Sequence, residues 1–482
     1  MASTRSGSVA QDPGAREQLK RPGDEPARLR GGVLSSFDVI SSTLANIAPA
    51  LGFYFSFSLI ATSAGVGSPL VVVGAAVAIA LVGNTLAQFA RYRASAGSFV
   101  TFIAAGLGPY AAIAAAIILV IGYIIAFGAI VGISGGWGHV VIQKYLHADI
   151  PWQIITAAAT LATLWLMIRG VALSTKWAAI FFGAELVLLV VVAVGLLIDA
   201  SNISLKPFHP AELTSVKGFG LAFPLAVYMF VGWENSAAMA EETRDPPKSI
   251  ARAVFTSTAL MGVVYTLLTF ATIVSFKYDI KAATTPTVPF VTAAESVLGV
   301  FAFLAYLAGV TSILGCLIGA ANSQARILFN SSREGMVPRW IATVHPTHGT
   351  PARALSVYCL LTLAIVYIFG WSTDPFVFYA EIATLGTIMI SFIYLVTNVA
   401  LPVFTRRSKT KANPWTHVVL PLLGVLAIGY PLEQLVKPGQ PSPYNQYPWI
   451  ALGVVIFGLL YAAVLYKRRP ELGEKIGSIV AE

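Results

Sequence analysis

Long apolar runs constrain the fold of this chain more than any other feature of its sequence. Stretches of roughly 20 apolar residues recur throughout the 482 residues. Each run is long enough to cross the hydrocarbon core of a bilayer as a helix. Charged residues make up 11% of the chain, compared with about 25% in soluble domains. We therefore expect an integral membrane protein.

Helices are the expected form of these runs, because they lack the alternating pattern of barrel strands and backbone groups in lipid must be satisfied within the segment. Twelve spans are predicted and are numbered here in chain order. They cover residues 34–62, 67–90, 109–136, 151–168, 173–198, 219–240, 250–276, 298–328, 352–371, 376–404, 417–435 and 447–466. The predicted fold class is an all-α integral membrane protein with about 12 transmembrane helices.

The basic residues predict the orientation of these helices. With the N-terminus inside, 25 of the 31 Lys and Arg residues fall on the cytoplasmic side, and such a bias sets membrane topology. Six fall outside: Lys144, Lys206, Lys217, Lys277, Lys281 and Lys437. We expect location in the cell membrane, a disordered cytoplasmic tail over 1–33 and a cytoplasmic C-terminal tail over 467–482. The net charge of +9 then reports orientation, and no nucleic-acid partner is expected.

The chain lacks the short motifs that mark common enzymes. It contains no HExxH or GxxxxGK stretch and no Cys/His cluster with metal spacing, so we expect no catalytic residues, no metal and no cofactor. A transporter is the favoured class, and a channel, a sensor or a membrane enzyme is the alternative. The two cysteines, Cys316 and Cys359, both fall in apolar spans, which predicts buried packing and no disulfide framework.

Two spans contain residues that interrupt a helix. Span 1 includes "ANIAPALG", with Pro49 and Gly52, and span 6 includes "FVGWENSA", with Gly232 and Glu234. Proline removes a backbone donor and clashes with the preceding turn. Because the interruptions lie five spans apart, spans 1–5 and 6–10 can be two copies of one unit, with a substrate site at the matching breaks. The alternative is that Gly and Pro are simply common in membrane helices.

The two breaks have complementary polarity. A half-helix that begins near Ala50 presents free N–H groups and its positive end to an anion. Unwound carbonyls around Phe230, Val231 and Trp233 would face a cation. An anion site opposite a cation site suits a zwitterionic α-amino acid.

Three stretches resemble the amino acid–polyamine–organocation (APC) superfamily. "FVGWENSAAMAEETRDPPKSIARAV" resembles its span 6 and the loop that follows. "AQFARYRASAGSFVTFIAAGLGP" is similar to its loop after span 2, and "ANSQARILFNSSREGMVPRWIATVHPTHGTPARA" to the end of its span 8. The resemblance covers roughly residues 30 to 470. It implies coupled uptake or exchange of amino acids or amines.

The resemblance also implies the leucine-transporter type of fold, a five-plus-five inverted repeat with helices 1 and 6 interrupted. The first repeat would then cover 34–198 and the second 219–404, with helices 11 and 12 in 417–466.

The same resemblance assigns substrate-binding positions. The backbone of Ala50, Leu51 and Gly52 falls where the superfamily binds the substrate carboxylate, although Pro-Ala-Leu stands here in place of the usual Gly-Ser-Gly. The segment that receives the amino group corresponds to Phe230, Val231, Gly232 and Trp233, and the occluding aromatic residue to Tyr228.

Two carboxylates are candidates for ion coupling. Glu234 matches the motif glutamate of span 6 and acts either as a structural brace or as a proton carrier. Glu185 falls where some proton-coupled members have a lysine. A protonated Glu185 could relay protons, and an ionised Glu185 could help hold Na⁺ with Thr311 and Ser312.

The loop after span 6 suggests an inner gate. We expect Glu241 and Glu242 to pair with one or more of Arg91, Arg93, Arg333 and Arg339. An exposed pair contributes little stability, but a gate needs only a small bias between states.

The function predicted is proton-coupled uptake of neutral or apolar amino acids by alternating access. No Arg or Lys lies in spans 1, 3, 6, 8 or 10 away from their ends, so an acidic amino acid would lack a partner. The alternative is a polyamine or cationic amino-acid transporter or exchanger of the same fold. The expected partners are an amino acid or amine, protons or Na⁺, and membrane lipid. The oligomeric state stays open.

Overall fold

The computed structural model describes residues 32, 34–92, 95, 97–170, 175–408, 412–472 and 476. These residues are predominantly helical, and the one isolated β-bridge among them joins Leu34 to Thr243. The predicted tails, 1–33 and 467–482, lie largely outside the described residues.

The described helices are labelled in chain order. They are α1 (Ser36–Ile47), α2 (Pro49–Ala64), α3 (Ser68–Tyr92), α4 (Phe99–Leu107), α5 (Pro109–Leu146), α6 (Trp152–Ile168), α7 (Thr175–Asp199), α8 (Val216–Tyr228), α9 (Asn235–Ala238), α10 (Pro246–Ser275), α11 (Ile280–Thr284), α12 (Pro289–Leu298), α13 (Phe303–Arg333), α14 (Ala352–Gly370), α15 (Pro375–Ser408), α16 (Leu420–Val436) and α17 (Tyr447–Arg468). Short 3₁₀ turns and one π-helical turn, Trp415–Val419, join several of them.

Nine helical stretches of the described chain are long and apolar enough to cross a membrane. The first, Ser36–Tyr92, has 57 residues, about 85 Å if it were straight. That length exceeds a bilayer more than twofold, and the 3₁₀ turn Gly65–Gly67 separates α2 from α3. The shorter apolar helices α6 and α8 coincide with predicted spans 4 and 6. The all-α membrane class is confirmed, whereas the count of twelve and the inverted repeat stay predictions.

Helix α5 lies at the centre of the bundle and packs most extensively on α15. Small residues let the two backbones approach, as is common between membrane helices. A Cβ added at Gly386 would lie 2.6 Å from the Ala126 nitrogen. Helices α7 and α17, by contrast, expose large apolar side chains such as Ile198 and Leu460, which suits contact with lipid.

Three short helices were not predicted from the sequence. Helix α4 lies in the predicted connection between spans 2 and 3, and α11 and α12 lie between spans 7 and 8. Each is too short to cross a bilayer, so an argument based on span length cannot detect it.

The break in span 1 lies at Ala48. Its φ of 52° and ψ of 79° are left-handed, and the proline that follows disfavours the right-handed helical region for this residue. Helix α1 ends there with a 3.3 Å hydrogen bond from the Ala48 N–H to the Leu44 carbonyl. Helix α2 then begins at Pro49, whose missing N–H costs nothing in a first turn.

The break in span 6 follows Tyr228, where α8 ends. Residues 229–234 form turns before the single-turn helix α9. Gly232 has a φ of +112°, and a Cβ there would lie 3.0–3.1 Å from atoms of Asn46, the second residue before the break in span 1. Glycine therefore meets both a conformational need and a close approach, and the two breaks touch each other.

We expect Gly232→Ala to destabilise the protein by about 1–3 kcal/mol, because it adds strain at positive φ and a clash with Asn46. The measurement is the thermal unfolding midpoint of purified protein, with Gly453→Ala as the control. Gly453 lies in α17 with nothing near its added Cβ. Equal midpoints for the two variants would contradict this account of the break.

Candidate functional site

A carboxylate caps the second half of the broken span 1. The Ala50 N–H donates to Glu185 Oε1 at 2.7 Å, and the Leu51 N–H donates to Ser312 Oγ at 3.1 Å. The Ser312 hydroxyl in turn donates to Glu185 Oε1 at 2.8 Å. The structure therefore brings together predicted substrate-binding and ion-coupling residues from α2, α7 and α13. The Glu185 carboxylate therefore lies against the positive end of α2.

A second carboxylate braces the break in span 6. Glu234 Oε1 accepts the Tyr123 hydroxyl at 2.8 Å, and Oε2 accepts the Gly232 N–H at 3.0 Å. Glu234 is 5% exposed. Its oxygens thus hold the unwound backbone of span 6 against α5, which agrees with a structural brace. The proton-carrier interpretation is not tested by these contacts.

A narrow cavity of about 20 Å³, room for about one water molecule, lies between the two breaks. Five of the predicted substrate-binding residues line it: Leu51, Gly52, Tyr228, Val231 and Gly232. Helices α1, α5 and α13 supply lining residues that the sequence analysis missed: Asn46, Ile47, Ala126, Phe127, Ile130, Cys316, Ala320 and Gln324. Of these residues, Asn46 could have been identified from the sequence, because it is a polar amide shortly before the break at Pro49.

Three predicted residues, Ala50, Phe230 and Trp233, do not line the cavity. Ala50 takes part through its N–H bond to Glu185. The Phe230 carbonyl accepts the Trp233 N–H at 3.1 Å, which closes a turn. The Trp233 side chain is fully buried and its Nε1–H donates to the Tyr394 hydroxyl at 3.1 Å. By contrast, no described residue donates a hydrogen bond to the Val231 carbonyl.

Tyrosine hydroxyls form hydrogen bonds between the helix breaks and neighbouring helices. The Tyr228 hydroxyl donates to the Ala126 carbonyl at 2.6 Å, so its ring forms a fixed wall of the cavity. The Tyr265 hydroxyl of α10 donates to the Met229 carbonyl at 2.8 Å. A Cβ added at Gly52 would lie 2.8 Å from the same hydroxyl oxygen. Glycine at 52 is therefore required by close packing.

The two sodium-ligand candidates differ in their surroundings. The Ser312 hydroxyl contacts Glu185 and Leu51, as described above. The Thr311 hydroxyl bonds back to its own helix, to the Leu307 and Ala308 carbonyls at 3.1 Å each. The structure thus places Ser312 beside Glu185, whereas the Thr311 hydroxyl forms its hydrogen bonds within its own helix.

Glu242 forms an ion pair at one end of the bundle with a residue that was not among the predicted partners. It pairs with Arg326 of α13 and not with Arg91, Arg333 or Arg339. For Glu242 the predicted pairing with these three residues was wrong, because Arg326 was assigned to the apolar span, whereas its position on α13 brings it to the loop after span 6. The pairing of Glu241 stays a prediction. Arg93 and the Glu241 side chain lie outside what the structure describes. At the same end, Leu34 exchanges backbone hydrogen bonds with Glu242 and Arg244 at 2.8 and 3.0 Å.

Aromatic residues close the opposite end. Trp137 of α5 stacks on Tyr306 of α13, with ring centroids 5.4 Å apart, and its Nε1–H donates to the Tyr306 carbonyl at 3.1 Å. Phe55 packs on the other side of Trp137. Lys144 Nζ lies 2.6 Å from Glu295 Oε1, and this hydrogen bond lowers the pKa of Glu295 from its ordinary value. Along α13, Tyr306 and Arg326 therefore lie on either side of the cavity-lining residues Cys316, Ala320 and Gln324.

The role of the Arg326–Glu242 pair can be tested with Cys316, the native thiol in the cavity. We expect Glu242→Gln to raise the alkylation rate of Cys316 by N-ethylmaleimide about fivefold, because the part-buried pair with Arg326 is worth about 1 kcal/mol. A Cys359→Ala background removes the second cysteine. The control is Lys248→Gln, which removes an exposed ion pair with Asp245. Equal alkylation rates in the two variants would contradict a gating role for the Arg326 pair.

Comparison with known proteins shows two kinds of similarity. Residues 32–466 match the sequence family described as amino acid permease. The chain is also 24% identical over 429 residues to the branched-chain amino acid permease BcaP of Bacillus subtilis, covering 83% of this chain and 86% of that protein.

Other relatives are similar over shorter regions. The Asc-type amino acid transporter 1 of Mus musculus is 27% identical over 252 residues, or 49% of this chain and 46% of that protein. The cationic amino acid transporter 6, chloroplastic, of Arabidopsis thaliana is 27% identical over 284 residues, or 57% of this chain and 46% of that protein. The matched region thus spans about half the length of these two relatives.

Proposed function

Because the chain belongs to the amino acid permease family, we propose that it is a secondary transporter that moves amino acids across the cytoplasmic membrane by alternating access. The observation that carries the proposal is the cavity enclosed by the two helix breaks, with residues of both breaks in its wall. Closures at each end, around Arg326 and Trp137, are the groups that would open in turn. Both termini are proposed to be cytoplasmic.

The proposed substrate is a neutral or apolar amino acid. Most of the described lining residues are apolar, among them Ile47, Phe127 and Ile130, and none of them is charged. The Val231 carbonyl and the Asn46 amide oxygen are acceptors available to an ammonium group. The name of the B. subtilis relative, a branched-chain amino acid permease, supports the same substrate class.

Protons are the proposed coupling ion. Glu185 and Glu234 are 8% and 5% exposed, and ionisable groups at such depth are usually functional. Both contact a helix break, so a change in their charge would act on the substrate site directly. Sodium is less well supported, because the Thr311 hydroxyl is used by its own helix.

A cationic substrate is the second candidate. Two buried carboxylates near the cavity and the name of the Arabidopsis relative favour it. Under this candidate the carboxylates neutralise the substrate, and proton coupling is not needed.

A thermal-shift screen of purified protein separates the two candidates. The panel contains the twenty amino acids, putrescine, agmatine and spermidine. A ligand present at about 100 times its Kd stabilises the protein by about 2.7 kcal/mol. Stabilisation by neutral amino acids supports the first candidate, and stabilisation by cations alone supports the second. Absence of any shift would contradict both.

If Glu234 rather than Glu185 carries the coupled proton, Glu234→Gln should abolish accumulation driven by a pH gradient in liposomes while exchange of internal for external substrate continues. The reason is that the amide keeps the shape of the brace but cannot carry a proton. Glu381→Gln, a half-buried carboxylate on α15, is the matched control. Normal uphill transport by the Glu234 variant would reject its role as a proton carrier and leave the brace.

A further inference from the structure

The backbone donors at the start of α2 are all engaged by the protein itself. Ala50 donates to Glu185, Leu51 donates to Ser312, and the Gly52 N–H donates to the Ala48 carbonyl at 2.9 Å. These are the donors that the sequence analysis assigned to a substrate carboxylate. In the described conformation, Glu185 therefore supplies the carboxylate that the helix end attracts.

An ionised Glu185 would depend on this helix end for compensation of its charge. Its titratable neighbours are Tyr54 of α2, Tyr265 of α10 and Cys316 of α13. None of these groups is cationic, and Glu185 forms no ion pair within the described residues. The compensation for its charge comes from the Ala50 N–H, the Ser312 hydroxyl and the positive end of α2. Loss of the Ala50 bond would leave an ionised Glu185 buried and poorly solvated.

A second, independent feature of the same break points to a ligand. Asn46 is 2% exposed and lines the cavity beside Leu51, and its Oδ1 is buried with no hydrogen-bond partner. An unsatisfied buried acceptor is destabilising. A ligand ammonium would remove that cost, and the nearby Val231 carbonyl is a further acceptor for it.

We propose that Glu185 stands in for the substrate carboxylate, and that an amino acid replaces it only together with a proton. This inference rests on the proposed amino-acid substrate. The proton passes from the aqueous side to which the cavity is open to a Glu185 carboxylate oxygen, and the Ala50 and Leu51 N–H groups then donate to the substrate carboxylate. The ammonium binds Asn46 Oδ1 and the Val231 carbonyl.

The helix end then faces one negative charge before and after binding. One zwitterion and one proton enter together, so the bound carrier holds one more proton and one more positive charge. Because the bound state has taken up a proton, affinity for the amino acid falls as pH rises, by up to about tenfold per pH unit. An amine without a carboxylate does not displace Glu185, so this dependence is absent for it.

The test uses the full chain in lipid nanodiscs and three matched ligand pairs that differ by the carboxylate. These are leucine and 3-methylbutylamine, phenylalanine and 2-phenylethylamine, and arginine and agmatine. The measurement is the Kd of each ligand from pH 5.5 to pH 8.5, in buffers of equal ionic strength. We expect an amino acid to bind more weakly as pH rises, with proton uptake of about one per ligand detected by calorimetry in buffers of different ionisation enthalpy.

Glu185→Gln separates the mechanism from a general pH effect. The amide imitates the protonated carboxyl group, so we expect amino-acid binding that is nearly independent of pH, with no proton uptake. The control Glu381→Gln should retain the wild-type slope. Ser312→Ala removes the hydroxyl that supports Glu185, and should shift the pH profile while the neighbouring Thr311→Ala does not.

The possible failures can be distinguished. Amino-acid binding with the same pH slope in Glu185→Gln as in the wild type would overturn the inference but leave amino-acid transport standing. Binding of the amines alone, at all pH values, would mean that Glu185 never leaves α2, and would overturn the inference in favour of carboxylate-free substrates. Binding of no member of any pair would reject the proposed function as well.

Discussion

Hydrogen bonding of backbone groups that have no helical partner is the constraint on which this site depends. In lipid such groups cannot be left to water, so each helix break needs donors and acceptors from elsewhere in the bundle. Glu185 and Ser312 satisfy the start of α2, and Glu234 satisfies the Gly232 N–H. Each carboxylate is thus buried because it binds backbone donors at a break. The same hydrogen bonds make its protonation state depend on the backbone conformation of that break.

The two breaks differ in what they leave unsatisfied. The donors of the α2 end are all used, whereas Asn46 Oδ1 and the Val231 carbonyl remain without donors from the described residues. In a conformation wide enough to admit a ligand, these acceptors would receive its ammonium group, and its carboxylate would compete with Glu185. Under the proposed displacement of Glu185, this asymmetry would couple the substrate to a proton without any additional ion site.

The sequence predicted the elements whose cause is local. Pro49 and Gly232 marked the breaks, because proline and positive φ act within one or two residues of chain. The membrane class followed from composition alone. The bond between Ala50 and Glu185 joins residues far apart in sequence, and no local pattern encodes it. The Arg326 partner of Glu242 was missed because Arg326 was counted in the apolar span, and α4, α11 and α12 were missed because they do not span the bilayer.

The Tyr265 side chain contacts both helix breaks, which bears on how their movements would be related. It bonds the Met229 carbonyl in one break and touches Gly52 beside the other. One side chain of α10 therefore packs against both breaks. In a carrier that works by alternating access, a movement at either break would disturb the packing of the other, which would oppose simultaneous opening of both faces.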